Sequence, residues 1–262
     1  RRNRFRSIGR HKCLISLFVH DIFSCQMNPY IDYHVFSNLS ISRILSKIVI
    51  LCVMVITYYG KQFFKVQFGD TVVAYNPIGK ESKLKGARFG ADIAVVSLNH
   101  PDFSGAESVA YGEKKPFAVT GPGEYEINGV SVRGFQTQSQ YAKESKLNTV
   151  YLVELEGIKL CFLGQLHTAE LSEKTREALD GIDILFVPVG GNETLSPLEA
   201  HKLATKMEPN IIIPMDYDDK TLKEFLKESG KNPKPEEKLT IKKKDLEGKT
   251  GEVIVLVQQS NA

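Results

Sequence analysis

His100 and Asp102 stand two residues apart in VSLNHPDFSG, directly after the strand-like run ADIAVVSL. A histidine and a carboxylate at the end of a buried strand are residue types that bind divalent metals, and loops at strand ends are where sites are usually built. A lone H-x-D is weak by itself, because Asp102 could cap the next turn while Pro101 stiffens the loop. The other histidines of the main body are His167, in LGQLH, and His201, inside SPLEAHKLATKM, where a half-buried helix residue is the simpler reading. Asp216, in IPMDY, supplies a second carboxylate at the end of a second buried strand. Together His100, Asp102 and Asp216, with His167 as a further candidate, make a three-ligand set, weak for zinc and more tolerant of manganese or iron.

Other motifs carry less chemistry. Gly-Pro-Gly in GPGEYEINGV lacks phosphate-loop spacing and does not lead into a helix. Glu124 and Glu126 alternate along a half-exposed strand, where charge is common. Gly190 and Gly191 precede the helix start at Ser196, whose dipole would attract a small anion. Cys161 lies in an apolar strand and reads as core, not nucleophile. No G-x-S-x-G is present, and Lys242–Lys244 reads as a solvated face.

The elements that must position these residues are well punctuated from Met54 onward. MVITYY is a strand. QFFKVQF and TVVAYNP form a hairpin across Gly69-Asp70, and Asn128-Gly129 and Glu156-Gly157 mark two more. Ser172–Leu179 reads as a serine-capped helix. Ser196 caps SPLEAHKLATKM, with Pro197 at its first position and Glu199 closing a capping box. Asp219–Ser229 is a helix ended by Gly230, and EVIVLV is the last strand. Hairpins first and alternating helices and strands later imply an α+β fold, two sheets flanked by helices.

The landmarks strand-NHPD, GPGEYEINGV, NTVYLVELEGIKLCFLG, DILFVPVGG, SPLEA and NIIIPMDY, in that order, resemble the metallo-β-lactamase superfamily, in its lactonase-like metal-dependent hydrolase branch. The resemblance covers about Met54 to Val257. It implies the αββα four-layer sandwich, with a dinuclear zinc site at one edge of the sheets. Active members carry T-H-x-H-x-D-H after the strand. At the matching positions this chain has Leu98 for the first histidine and Phe103 for the last, and keeps His100 and Asp102. Ser139 or a neighbour replaces a further histidine, Gln165 replaces the bridging aspartate, and Asp216 replaces the final histidine. Leu98 and Phe103 have no lone pairs, and Gln165 is neutral and a poor bridge. The resemblance therefore implies a hydrolase-like protein without metal-dependent hydrolysis and without a cofactor, its old cleft kept for a small anionic ligand or a protein partner. Asp216 opposite His100 would form an ion pair where the metal sat. Two alternatives stay open: a hydrolase with one divalent metal (Zn, Mn or Fe) at His100, Asp102 and Asp216, and a structural or interaction module, which a cleft filled by phenylalanine and leucine would favour.

Charge and composition narrow the setting. The chain has 262 residues and a formal charge of +3. Residues 1–53 hold 8 Lys+Arg and 2 Asp+Glu, whereas the remainder holds 26 and 29. An acidic main body does not present a nucleic-acid surface. Four cysteines (Cys13, Cys25, Cys52 and Cys161) with no C-x-x-C pair fit a reducing cytoplasm. Ile48–Ile56 is apolar but far short of the ~20 residues a membrane helix needs. Residues 1–53 read as a disordered extension or translated upstream sequence ahead of Met54, with a signal anchor as the alternative. Residues 54–262 read as the domain, with no membrane segment.

Overall fold

In a computed structural model of the chain, the structure describes residues 53–259. The reading of residues 1–53 as an extension therefore lies outside the described residues, apart from Val53. Among the described residues, thirteen strands form two sheets. The first runs in the order β12-β1-β2-β3-β4-β5: β1 (Met54–Tyr58), β2 (Phe64–Phe68), β3 (Thr71–Tyr75), β4 (Ile93–Val95), β5 (Phe117–Val119) and β12 (Leu239–Ile241). The second runs β13-β11-β10-β9-β8-β7-β6: β6 (Gly123–Ile127), β7 (Val130–Tyr141), β8 (Glu144–Leu155), β9 (Ile158–Phe162), β10 (Ile184–Pro188), β11 (Ile211–Met215) and β13 (Glu252–Val253). The helices are α1 (Glu173–Ala178), α2 (Pro197–Met207) and α3 (Asp219–Ser229).

Period-two alternation sorts the side chains. Val73 and Tyr75 of β3 and Ile93 and Val95 of β4 face Phe162, Phe186 and Ile213 of the other sheet in one inner core. Phe64 packs edge-on against Phe186, with ring centroids 4.8 Å apart. The outer face of the second sheet, with Leu152, Cys161, Leu185 and Val187, is covered by Leu203 and Ala204 of α2 and Phe225 of α3. Burial pushes the Cys161 thiol well up, so this cysteine is core.

The outer face of the first sheet is built differently from the expected helical layer. Val72, Ala74 and Ala94 are covered by Phe63, Ile78, Ala87, Ala91 and Val109. Among the described residues the only helical element there is a 3₁₀ turn, Ala106–Val109. The Gly- and Lys-rich segment 79–90 has no apolar stripe from which to build an α-helix.

The capping signals are realised. Ser196 accepts from the Glu199 N–H and Glu199 reaches back to the Ser196 N–H, closing the box at α2. Asn128 and Gly129 take φ of 53° and 82°, the two-residue turn between β6 and β7. Two departures concern the C-terminal region. EVIVLV forms a strand over Glu252–Val253 only, with Leu256 in an isolated bridge to Glu236, and β12 was not foreseen, because three residues in a lysine-rich stretch give no readable period. Lys243 and Lys244 are exposed, as a solvated face requires, and Lys243 also forms an ion pair with Asp183 at 2.7 Å.

Candidate functional site

The parallel strands β4, β10 and β11 end on one edge, with β9 beside them. Ends of parallel strands are where such folds assemble sites. There the two sheets are joined by backbone: Leu98, beyond β4, bridges Asn148 of β8, and the Thr149 N–H donates to the Ser97 carbonyl at 2.9 Å. Gly164, beyond β9, has φ of 59° and lies so close to Ser97 and Asn148 that a Cβ there would stand 2.5 Å from the Ser97 Cβ.

Four side-chain amides and a lysine fill the middle of this edge. The Ser97 N–H donates to Asn76 Oδ1 at 2.8 Å, which fixes the Asn76 amide, because a backbone N–H can only donate. Asn76 Nδ2 then donates to Gln62 Oε1 at 2.9 Å. Gln62 Nε2 donates to Asp216 Oδ2 at 2.9 Å and to Gln165 Oε1. The chain of donors thus orients Gln165 with its carbonyl inward and leaves its Nε2, fully buried, without a partner. Asn148 holds the same edge from the other sheet: it accepts from the Gln165 N–H and donates to Thr137 Oγ1 and the Leu163 carbonyl.

The ion pair expected between Asp216 and His100 is not formed. Asp216 pairs instead with Lys61, Nζ to Oδ1 at 2.7 Å. The β1–β2 turn brings Lys61 in: its carbonyl accepts from the Asp216 N–H at 2.8 Å and from Tyr58 Oη at 3.0 Å. Lys61 and Asp216 both adopt left-handed φ, 53° and 56°. Lys61 Nζ also lies over the rings of Phe103 and Tyr141, 5.8 and 5.4 Å from their centroids.

His100 turns toward its own loop. Its Nδ1 accepts from the Asp102 N–H at 3.2 Å and lies 3.5 Å from Asp102 Oδ2. Because that nitrogen is already an acceptor, the 3.5 Å approach is a proximity and not a hydrogen bond. The Asp102 carboxylate takes its hydrogen bonds from Ser82 Oγ and from Tyr141 Oη, the latter at 2.6 Å. Burial pushes its pKa up, but the Ser82 and Tyr141 hydroxyls, His100 and Lys61 together outweigh that and hold it below the ordinary value. Burial raises the Tyr141 hydroxyl strongly, reinforced by its bond to Asp102, so it stays a donor.

A depressed carboxyl makes stability depend on acid. The contribution of Asp102 is present above the unfolded carboxyl value of about 3.9 and is lost as pH falls through the folded value. Asp102→Asn is therefore expected to unfold at lower urea than the parent at pH 7, with the gap closing as pH drops below about 4. Parallel urea titrations across that range check it; a gap independent of pH would refute the assignment.

The predicted positions divide clearly. Leu98 and Phe103 are buried and form a small apolar cluster with Tyr141. Ser139 lies on the same face of β7 as Tyr141 and is buried, its hydroxyl without a hydrogen-bond partner. His167 lies two residues beyond Gln165, its Nδ1 buried and without a hydrogen-bond partner. His201 stays on α2, edge-on to Phe225. Glu124 and Glu126 are exposed on the edge strand β6. Among the described residues, no group of three or more His, Cys, Asp or Glu side chains could hold a metal ion. Sequence reasoning missed Lys61, Gln62, Asn76, Tyr141 and Asn148. Gly60-Lys61, breaking an apolar run, was the one visible sign.

Beside Lys61 and Asp216 opens a cavity of about 490 Å³, lined among others by Gln165, Gly190, Gly191, Glu193 and Asp218. Gly190 is required there: a Cβ would stand 2.3 Å from the Asp216 carbonyl oxygen. Ser196 does not line it, and its N–H and hydroxyl are taken by Glu199.

The chain belongs to the β-lactamase superfamily, whose domain matches residues 55–216. It is similar to the UPF0173 metal-dependent hydrolase of Lysinibacillus sphaericus, 25% identical over 196 residues that cover 63% of this chain and 85% of the relative. Among solved structures it is similar to one from Thermotoga maritima, provisionally named a zinc-dependent hydrolase of the metallo-β-lactamase superfamily. That pair is 27% identical with a TM-score of 0.60, covering 78% of this chain and 98% of the other. Igni18, a metallo hydrolase from Ignicoccus hospitalis, shares the fold, with 17% identity, a TM-score of 0.53 and coverage of 72% and 99%. The metallo-β-lactamase fold, an α+β sandwich, is thus established. No helix among the described residues is long and apolar enough to cross a membrane.

Proposed function

We propose that this chain is a hydrolase-like member of the superfamily that has given up the dinuclear zinc site, and with it metal-dependent hydrolysis, and that keeps the cleft for binding. The observation that carries the reading is the packing of Leu98 and Phe103, at two positions where the resemblance expects histidines, into a buried cluster with Tyr141, while the cavity beside Lys61 and Asp216 stays open, so the cleft is not filled as the structural-module alternative requires. Leu98 and Phe103 offer no lone pairs and exclude water. The remaining donors do not fit a metal. Asp216 is bound to Lys61 and Gln62, Asp102 to Ser82 and Tyr141, and His100 Nδ1 accepts a backbone N–H. Three satisfied donors beside an ammonium ion do not make the open, three-ligand centre that activates water.

The cavity's charge supports a neutral polar or cationic ligand over the anion expected from Gly190, Gly191 and Ser196. Glu193, Asp216 and Asp218 outnumber Lys61 along its wall.

The test is metal content after purification and after incubation with Zn²⁺, Mn²⁺ and Fe²⁺, with hydrolysis of lactone and phosphodiester substrates followed in the same samples. The expected result is well under one ion per chain and no metal-stimulated turnover. Stoichiometric metal that disappears in His100→Ala would replace this reading with a mononuclear hydrolase.

A further inference from the structure

Lys61 has a role that the loss of metal ligands does not by itself require. A carboxylate in a partly desolvated place is costly unless something compensates it, and Asp216 brings one where the resemblance expects a neutral histidine. Here the compensation is visible. Lys61 Nζ is 2.7 Å from Asp216 Oδ1. The rings of Phe103 and Tyr141 supply two further faces attractive to a cation. The stem is held at its root: the Lys61 carbonyl accepts from Asp216 and Tyr58, which sets the left-handed turn that aims the side chain inward.

We infer that the Lys61 ammonium is a resident counter-cation for the Asp216 carboxylate, making this edge of the sandwich a primary-ammonium site. This rests on the proposed loss of the zinc pair and adds which group took over its charge. Phe103 has then changed role: a ring where a histidine is expected is one wall of an ammonium cage. The pairing accounts for Asp216 as well, since a carboxylate accepts from an ammonium and from the Gln62 amide at once, and a neutral histidine could not.

The experiment uses the full chain with Lys61 shortened to alanine. Lys61→Ala should lower the melting temperature by about 4–8 °C, the scale of roughly 2 kcal/mol in a domain of this size. Methylammonium chloride should recover part of that loss by filling the vacated space. Equal concentrations of sodium chloride or tetramethylammonium chloride should not, and none should stabilise the parent chain beyond its response to sodium chloride. Recovery by all three salts alike, or a variant as stable as the parent, would overturn the inference. Should Lys61→Ala fail to fold, proton NMR of the parent decides. The Lys61 ε-methylene protons are expected upfield of the other lysines, shifted by the two rings, and random-coil values would refute the cage. Failure of the wider reading looks different: the parent chain itself would hold stoichiometric metal.

Discussion

Gly164→Ala is expected to destabilise the fold by about 3–5 kcal/mol, the sum of a left-handed backbone for an L residue and overpacking in a filled interior. Gly164 has φ of 59°, and a Cβ there would lie 2.5 Å from Ser97 Cβ and 2.7 Å from Asn148 Oδ1. Neither neighbour can retreat. Ser97 is tied to Asn76 and Thr149, and Asn148 to Gln165, Thr137 and Leu163. The added methyl would therefore push on both sheets where they are joined, and the site would lose its register before the core lost its packing. Gly129 is the control: it too has positive φ, at 82°, but nothing lies within 4 Å. Gly129→Ala should cost only about 1–2 kcal/mol, the backbone contribution alone. Urea midpoints of the two variants decide it; equal losses would mean that the close approach at Gly164 carries no energy.

How legible this was in the sequence depended on whether the signal was local. The capping box at Ser196 and Glu199, the turn at Asn128-Gly129 and the helix Asp219–Ser229 with Gly230 after it are all short-range devices, and each stands where the sequence places it. The strands β7 and β8 run further than their apolar alternation, because GFQTQSQY lies toward the edge where polar residues face solvent and site alternately. The ion pair at the site was not legible. Asp216 meets a turn lying 154 residues away at Gln62, and that meeting follows from two sheets packing face to face. A lysine in a turn carries no periodicity, so only the fold could show that Lys61, and not His100, answers Asp216. That Leu98 and Phe103 stand where the resemblance expects histidines was readable from order and spacing; that Lys61 faces Asp216 was not.

The last expected result concerns the amide chain. Asn76→Ala should cost about 3–4 kcal/mol, from the Ser97 N–H, Ser97 Oγ and Gln62 Oε1, each left without its Asn76 partner, and the loss of an asparagine suited to positive φ. Asn76 is fully buried with φ of 44°. Without it the Ser97 N–H loses its acceptor and Gln62 Oε1 loses its donor. The second loss propagates. Nothing then forces Gln62 to present its nitrogen to Asp216 and Gln165, so the Gln165 amide is released as well. The consequence is coupling between residues that do not touch: Asn76→Ala combined with Gln165→Ala should destabilise by less than the sum of the two, by about 1 kcal/mol. A double-mutant cycle measures that number. Strict additivity would mean that each amide is held by its own surroundings, and that the orientation of Gln165 is set by Asn148 alone.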